Sequence, residues 1–288
     1  MIYKEKSYYK KEKDLFKTNE FWGQKTQNAF VKYKREALMF CIYCGGNAIT
    51  KEHCPTRGLM LKPRPFDLPT LPACEKCNNS FSSDEMYTVS LVKALNTFLN
   101  NGEETGLEMN ISTRQEVNDA KKEAEFIAKS GYYRDDKRLR NTLIKLAVGH
   151  AIFELTIGYA GQLYKEADIN VEYYFRHFIS PDKWEKFNQL EVIETNNIPE
   201  IGSRLFRNIY VVSVKRKKES GRKIKTECIA LDWTNVQEGK YKYIALLKGN
   251  EIVVKIFIWN TIYAKVTFFL SESHITLSNI KRGEVRCE

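Results

Sequence analysis

Residues 41–78 contain three short segments that carry chemistry: Cys41-Ile-Tyr-Cys44-Gly45, then Thr50-Lys-Glu52-His53-Cys54-Pro55, and then Cys74-Glu-Lys-Cys77-Asn78. The first and third are C-x2-C pairs separated by 29 residues. Each such turn directs two thiolates toward one point, and two turns together supply the ligands of a tetrahedral structural zinc site. The spacing therefore predicts that one Zn²⁺ ion is bound by Cys41, Cys44, Cys74 and Cys77. The alternative, unrelated buried cysteines or disulfides, is disfavoured for thiols in a reducing compartment.

A carboxylate, an imidazole and a carboxamide lie between or beside the two cysteine pairs. Glu52 and His53 are adjacent, and Asn78 directly follows the last cysteine. Carboxylate and amide oxygens bind hard divalent cations such as Mg²⁺, and a neutral imidazole can accept a proton from water. Brought together by zinc, the three residues can form a phosphodiester hydrolysis site. Asn78 has a second interpretation as the N-cap of a helix that begins after the second pair.

From about Phe40 to Glu85 the chain resembles the HNH endonucleases, the ββα-metal nucleases with a four-cysteine zinc site. In that family an acidic-His dipeptide ends the first strand of a hairpin, and the C-x2-C-Asn segment opens a helix. The resemblance implies that His53 is the general base and that Glu52 and Asn78 bind one catalytic Mg²⁺ or Mn²⁺ ion. It also implies hydrolysis of DNA phosphodiester bonds to products ending in 5′-phosphate, and a role in restriction or phage defence.

The sequence departs from the family pattern in two places. Glu52 stands where Asp is more frequent, which keeps the carboxylate and adds one methylene. Pro69 replaces the middle Asn, five residues before the third cysteine, and Asp67 and Thr70 are the nearest polar residues. Because that Asn is implied to tie the loop that bears the histidine, we expect the loop rather than the chemistry to be affected.

The general base must be neutral to accept a proton. Activity should therefore decrease as the pH is lowered through about 6.5, unless the site shifts the pKa of His53.

The basic side chains predict a polyanionic partner. The chain has 46 Lys and Arg residues against 36 Asp and Glu residues, a net charge of +10, which favours attraction to a polyanion such as DNA. Loop residues beside Glu52-His53 can contact phosphates, namely Arg57, Lys62 and Arg64. A basic hairpin, in which seven of the eleven residues from 215 to 225 are Lys or Arg, offers a second contact through Lys215, Arg216, Lys217 and Lys218. Solvated surface charge is the alternative for both groups.

Composition and periodicity predict an α+β protein in four parts. Residues 1–38 form a basic arm with interspersed aromatics, and residues 39–85 form the small zinc-held ββα HNH unit. Apolar spacings of three and four predict a helical bundle in 86–190, where Ser180-Pro181-Asp182 is a helix start. β-branched and aromatic runs predict an antiparallel β module in 191–288. The basic arm can instead be a helix that packs its aromatics on the next part.

No segment has the pattern of a signal peptide or a membrane span, so we expect a cytoplasmic protein without a membrane partner. The C-terminal half can mediate a homodimer or bind a regulatory partner. His150, His177 and His274 have no ligand-like partner at helical spacing, and we interpret them as structural.

Three alternatives compete with an active nuclease. A zinc-containing protein can bind nucleic acid with little or no cleavage. His53 or Cys54 can instead be a zinc ligand, which would make the Glu-His-Cys segment structural. The C-terminal module can also regulate an effector nuclease, so that removing it or adding an activator raises activity.

Overall fold

The computed structural model describes residues 2–3, 40–65, 68–99, 115–134, 136–155, 163, 167–193, 199, 203–217 and 223–270, with the backbone alone for 2–3, 214–217 and 223–226. These residues contain four α-helices, which are α1 (Glu75–Leu99), α2 (Gln115–Ser130), α3 (Lys137–Glu154) and α4 (Pro181–Asn188). They contain the strands β1 (Ile2–Tyr3), β2 (Thr50–His53), β3 (Thr70–Ala73), β4 (Asp168–Phe175), β5 (Glu191–Ile193), β6 (Ile209–Lys217), β7 (Lys223–Leu231), β8 (Thr234–Gln237), β9 (Tyr241–Lys248), β10 (Glu251–Ile258) and β11 (Ile262–Phe269).

A two-stranded antiparallel sheet is followed at once by the longest helix. β2 and β3 pair so that Glu52 lies opposite Leu71 and His53 opposite Thr70. One residue, Cys74, separates the end of β3 from α1. Buried side chains in α1 recur at Phe81, Tyr87, Leu91, Val92 and Leu95, the spacing that places one apolar face against a core.

The central layer is a five-stranded antiparallel sheet in the order β4-β11-β10-β9-β8. Its strands are rich in Val, Ile, Tyr and Phe, which suit a buried pleated surface. One face of the sheet packs on α3, which contacts β9, β10, β11 and β4. The same apolar cluster continues without interruption through α1 and α2 to Ile42, Tyr43 and Leu71 beside the cysteine pairs. The predicted nuclease region thus shares its core with the rest of the chain.

The opposite face of the central sheet is covered by α4 and a second antiparallel sheet in the order β1-β6-β7-β5. Phe187 of α4 and Ile193 of β5 pack there with Trp233, Val253 and Tyr263. The helix α4 begins as the sequence predicts, because Ser180 is its N-cap and accepts a hydrogen bond from the Lys183 N–H. This arrangement buries both faces of the central sheet.

The structure confirms an α+β fold with helices and antiparallel sheets, and it refines the predicted regions. The predicted β runs lie in β6, β9, β10 and β11. The segment 86–190 is not helical throughout, since β4 lies within it and pairs with β11. Helix α1 crosses the boundary predicted at residue 85. None of the described helices has the length and apolar character that crossing a bilayer requires.

Some sequence predictions lie outside the described residues. The basic arm is described only at the backbone of 2–3, where β1 pairs with β6. Asp67, Lys218 and His274 are not described, and Lys215, Arg216 and Lys217 are described as backbone of β6 without side chains.

Candidate functional site

The four cysteines of the two C-x2-C pairs converge. Their Sγ atoms all lie within 4.8 Å of one another, and Cys44 Sγ lies 3.7 Å from Cys74 Sγ. The first turn is closed by hydrogen bonds between the Cys41 backbone and Gly45 and Gly46. Gly45 has a φ of 70°, a backbone conformation that glycine adopts without strain. Two local turns therefore place four thiols around one point.

The backbone around the four thiols fits bound thiolates. The Gly46 N–H lies 3.4 Å from Cys44 Sγ, and the Cys77 N–H lies 3.3 Å from Cys74 Sγ. The second contact lowers the pKa of Cys74 to about 7, whereas burial raises the pKa of Cys41 and of Cys77. Four thiolates this close repel one another unless a cation lies between them. The cluster can therefore hold a metal such as zinc. Four sulfur ligands would fill a tetrahedral site and leave no open coordination position on the metal.

His53 and Cys54 are not members of the four-thiol group. Cys54 is buried, and its Sγ lies 3.3 Å from Nδ1 of His150 on α3. The Nε2 atom of His150 lies 2.8 Å from the Tyr241 hydroxyl, and the ring stacks on Tyr243 with centroids 3.7 Å apart. The alternative in which His53 or Cys54 binds the zinc has no support from this geometry, because neither residue belongs to the four-thiol group.

Glu52 lies on the inner face of β2 and is buried. Its Oε1 atom accepts the His53 backbone N–H at 3.0 Å and pairs with Lys145 Nζ at 3.0 Å. Lys145 is 1% exposed and also pairs closely with Glu85 of α1. Burial raises the pKa of Glu52, and Lys145 opposes that shift. The ammonium therefore offsets part of the cost of burying the carboxylate charge.

Asn78 lies in the first turn of α1 rather than at its N-cap, which is the position of Cys74. Its Nδ2 donates to Thr50 Oγ1 at 3.3 Å, and Thr50 Oγ1 donates to the Ala73 carbonyl at 2.8 Å. Thr50 and Glu52 are two residues apart on one strand, so their side chains share a face. Asn78 is thereby held against the face of β2 that carries Glu52.

His53 ends β2 and is half-buried. Burial, together with the charges of Arg57, Arg64 and Lys145, lowers the pKa of His53 to about 4. The charge of Lys145, the partner of Glu52, acts on the His53 imidazole as well. The imidazole is therefore neutral at pH 7, as a base requires, and the expected loss of activity in acid moves from about 6.5 to about 4.

Two of the predicted phosphate contacts lie near the imidazole. Arg57 and Arg64 are both exposed, and both are close enough to depress the pKa of His53. Arg64 Nε donates to the Arg57 carbonyl at 3.3 Å, which holds the two arginines close together. Lys62 is exposed in the same loop. The side chains of Lys215, Arg216 and Lys217 on β6, and all of Lys218, lie outside the described part of the structure.

Sequence reasoning missed two residues that are distant from Glu52 in the sequence but lie beside it in the fold. Lys145 and Glu85 lie 93 and 33 positions after Glu52 in the sequence, and no motif joins them to the Glu-His pair. One signal was present, because Lys145 interrupts the apolar stretch that begins at Leu143. A lysine on a buried helical face needs a carboxylate partner, so the interruption indicates a buried ion pair without naming its partner.

The chain matches no family model, no curated protein and no solved structure.

Proposed function

We propose that this protein is a metal-dependent endonuclease of the HNH type that hydrolyses DNA phosphodiester bonds. The observation that carries the proposal is one juxtaposition. The four-thiol cluster joins the hairpin that bears Glu52 and His53 to the helix start that bears Asn78, and two arginines flank the imidazole. We further propose a cytoplasmic setting in restriction or phage defence, which rests on the family resemblance alone.

Glu52, Asn78 and His53 would have different roles because their side chains differ in chemistry. Glu52 and Asn78 would hold a divalent cation such as Mg²⁺ or Mn²⁺, whose positive charge would neutralise charge on the reacting phosphate. Both donors to Glu52 contact Oε1, so Oε2 would be the oxygen available to such an ion. His53, neutral at pH 7, takes a proton from the attacking water.

The loop arginines position the substrate. Arg57 and Arg64 lie beside His53 and are exposed. One DNA phosphate can therefore pair with either guanidinium while the adjacent phosphate along the strand faces the imidazole. Arginine binds phosphate through two parallel N–H donors, which orients as well as attracts. Lys62 adds charge from the same loop.

A second function is favoured by one specific observation. The Lys145 ammonium lies 3.0 Å from Glu52 Oε1 and so supplies a positive charge where a nuclease would need a divalent ion. If that ammonium takes the place of the ion, the protein is a zinc-containing nucleic-acid-binding protein that does not cleave. Both functions use the same zinc cluster and the same basic loop.

Metal-dependent cleavage separates the two functions. Supercoiled, linear and single-stranded DNA are incubated with the wild type and with His53→Ala in Mg²⁺ or Mn²⁺. A nuclease nicks the DNA, and we expect His53→Ala to lose activity by about 10²-fold or more with zinc content and circular dichroism unchanged. His177→Ala is the matched control, because His177 is an exposed histidine outside the site. DNA binding by the wild type without cleavage under any of these conditions would replace the nuclease with the binding protein.

A further inference from the structure

The loop that follows His53 is held by side chains from the C-terminal β-sheet. This loop, residues 54–61, carries Arg57 and ends one residue before Lys62. Its backbone is hydrogen-bonded to the side chains of Gln237 and Trp259, which lie 176 and 200 residues from their partners. The two side chains contact two different points of the loop.

The side-chain amide of Gln237 pairs with both backbone polar groups at the end of the loop, as a neighbouring strand would. Its Oε1 accepts the Leu61 N–H at 2.8 Å, and its Nε2 donates to the Leu61 carbonyl at 3.2 Å. Gln237 is the last residue of β8, where the pairing with β9 shifts register between Asn235 and Gln237. A β-bulge of this kind re-aims a side chain. The irregular end of β8 thereby presents one amide to both polar groups of Leu61.

Trp259 binds the middle of the loop. Its indole N–H donates to the Leu59 carbonyl at 2.8 Å, and the side chain is 1% exposed. Trp259 and Asn260 form the tight turn between β10 and β11 with φ values of 53° and 49°, closed by the Thr261 N–H on the Ile258 carbonyl. Bulky residues rarely adopt a positive φ, and strain of this kind persists where surrounding contacts impose it.

The beginning of the loop is tied to the same sheet through α3. Cys54 Sγ contacts His150 Nδ1, and His150 Nε2 contacts the hydroxyl of Tyr241 on β9. The loop is therefore fixed at its start, middle and end by groups that lead to β8, β9 and the β10–β11 turn. Pro69 removes the side chain expected to tie this loop, and these long-range contacts hold it instead.

We infer that Gln237 and Trp259 are positioning residues that hold the histidine loop in its working geometry. The catalytic part of this inference rests on the proposed function. It makes the C-terminal sheet part of the frame of the nuclease site, so an intact sheet is needed for activity. That expectation is the reverse of an effector nuclease that is activated when its C-terminal module is released.

The test compares variants of the full chain that remove single hydrogen bonds. Gln237→Leu removes both contacts to Leu61, and Gln237→Glu keeps the acceptor for the Leu61 N–H. Trp259→Phe removes the indole donor and keeps an aromatic ring. Trp184→Phe is the matched control, because Trp184 lies on α4 and packs on Tyr263 outside the loop.

Two readouts separate positioning from general destabilisation. Displacement of a catalytic group by about 1 Å can cost about 10²-fold in rate, so we expect kcat for DNA nicking to fall about 10- to 100-fold in Gln237→Leu and Trp259→Phe. Gln237→Glu should recover part of that loss. Amide hydrogen exchange should accelerate at Leu61 in Gln237→Leu by at least about tenfold, with α1 and β10 unchanged.

The failure of this inference differs from the failure of the proposed function. A wild type that nicks DNA together with a Gln237→Leu variant of equal kcat and equal Leu61 exchange would overturn the positioning role alone. An equal loss of activity in Trp184→Phe would also overturn it, because the effect would then be global. A wild type that never nicks DNA overturns the proposed function and the catalytic part of the inference, whereas Leu61 exchange still tests the tie itself.

Discussion

The four-cysteine cluster and the Glu52-His53 site lie on the same small hairpin and helix but are built in different ways. The cluster arises from two short turns whose geometry is local to residues 41–46 and 74–77. The Glu52-His53 site takes its countercharge from Lys145 and its loop contacts from Gln237 and Trp259. The geometry of the cluster is therefore local, whereas the electrostatics and loop geometry of the site depend on distant parts of the chain.

The largest effect should come from removing a cluster thiol. Cys77→Ser should abolish zinc binding, and the free energy of binding structural zinc, about 10–16 kcal/mol in small metal-dependent domains, is also folding free energy. We expect zinc content to fall from one ion per chain to none and the thermal midpoint to drop steeply. Cys228→Ser is the control, because Cys228 lies on β7 outside the cluster. A Cys77→Ser variant that keeps one zinc and the wild-type midpoint would refute the cluster.

The second-largest effect should come from removing the buried Lys145 ammonium that pairs with Glu52. Lys145→Met leaves Glu52 and Glu85 buried without their ammonium, and breaking a buried pair of this kind costs about 3–5 kcal/mol. Urea unfolding should show this loss, with zinc still bound. The control is Lys129→Met, which removes an exposed pair with Glu125 and should leave stability unchanged. The double variant Lys145→Met with Glu52→Gln should recover part of the stability, and no recovery would show that the Lys145–Glu52 pair is not the cause.

Acid should destabilise the folded chain through His150, which is buried in the core. Burial lowers the pKa of His150 well below 6.5, so the unfolded chain binds a proton that the folded chain excludes. Stability is therefore fully present above about 6.5 and falls below it, by about 1.4 kcal/mol per pH unit for one such proton. Urea unfolding from pH 7 to 5 should show this slope, and His150→Gln should reduce it by one proton. An unchanged slope in that variant would mean that His150 is not the group responsible.

Sequence patterns predicted the local features of this protein and missed the contacts that complete the site. The four-cysteine cluster could be predicted because each C-x2-C pair forms a single local turn, as Cys41, Cys44, Cys74 and Cys77 show. Runs of β-branched residues carried β9 to β11, whose hairpins pair neighbours in sequence. Strand β4 was missed because its partner β11 lies some ninety residues away, and pairing at that distance has no local signature.

The smallest effect compares the same substitution in the two kinds of region. Gly45 in the first cysteine turn and Gly239 between β8 and β9 have φ values of 70° and 66°. Alanine at a positive φ costs about 1 kcal/mol, so Gly45→Ala and Gly239→Ala should lower unfolding free energy by similar amounts. Only Gly45→Ala strains the turn that aims two thiolates, so competition with a chelator should show weaker zinc binding in that variant alone. Equal zinc affinity in both variants would show that the turn adapts around the metal and that the cluster is less dependent on local geometry than its spacing indicates.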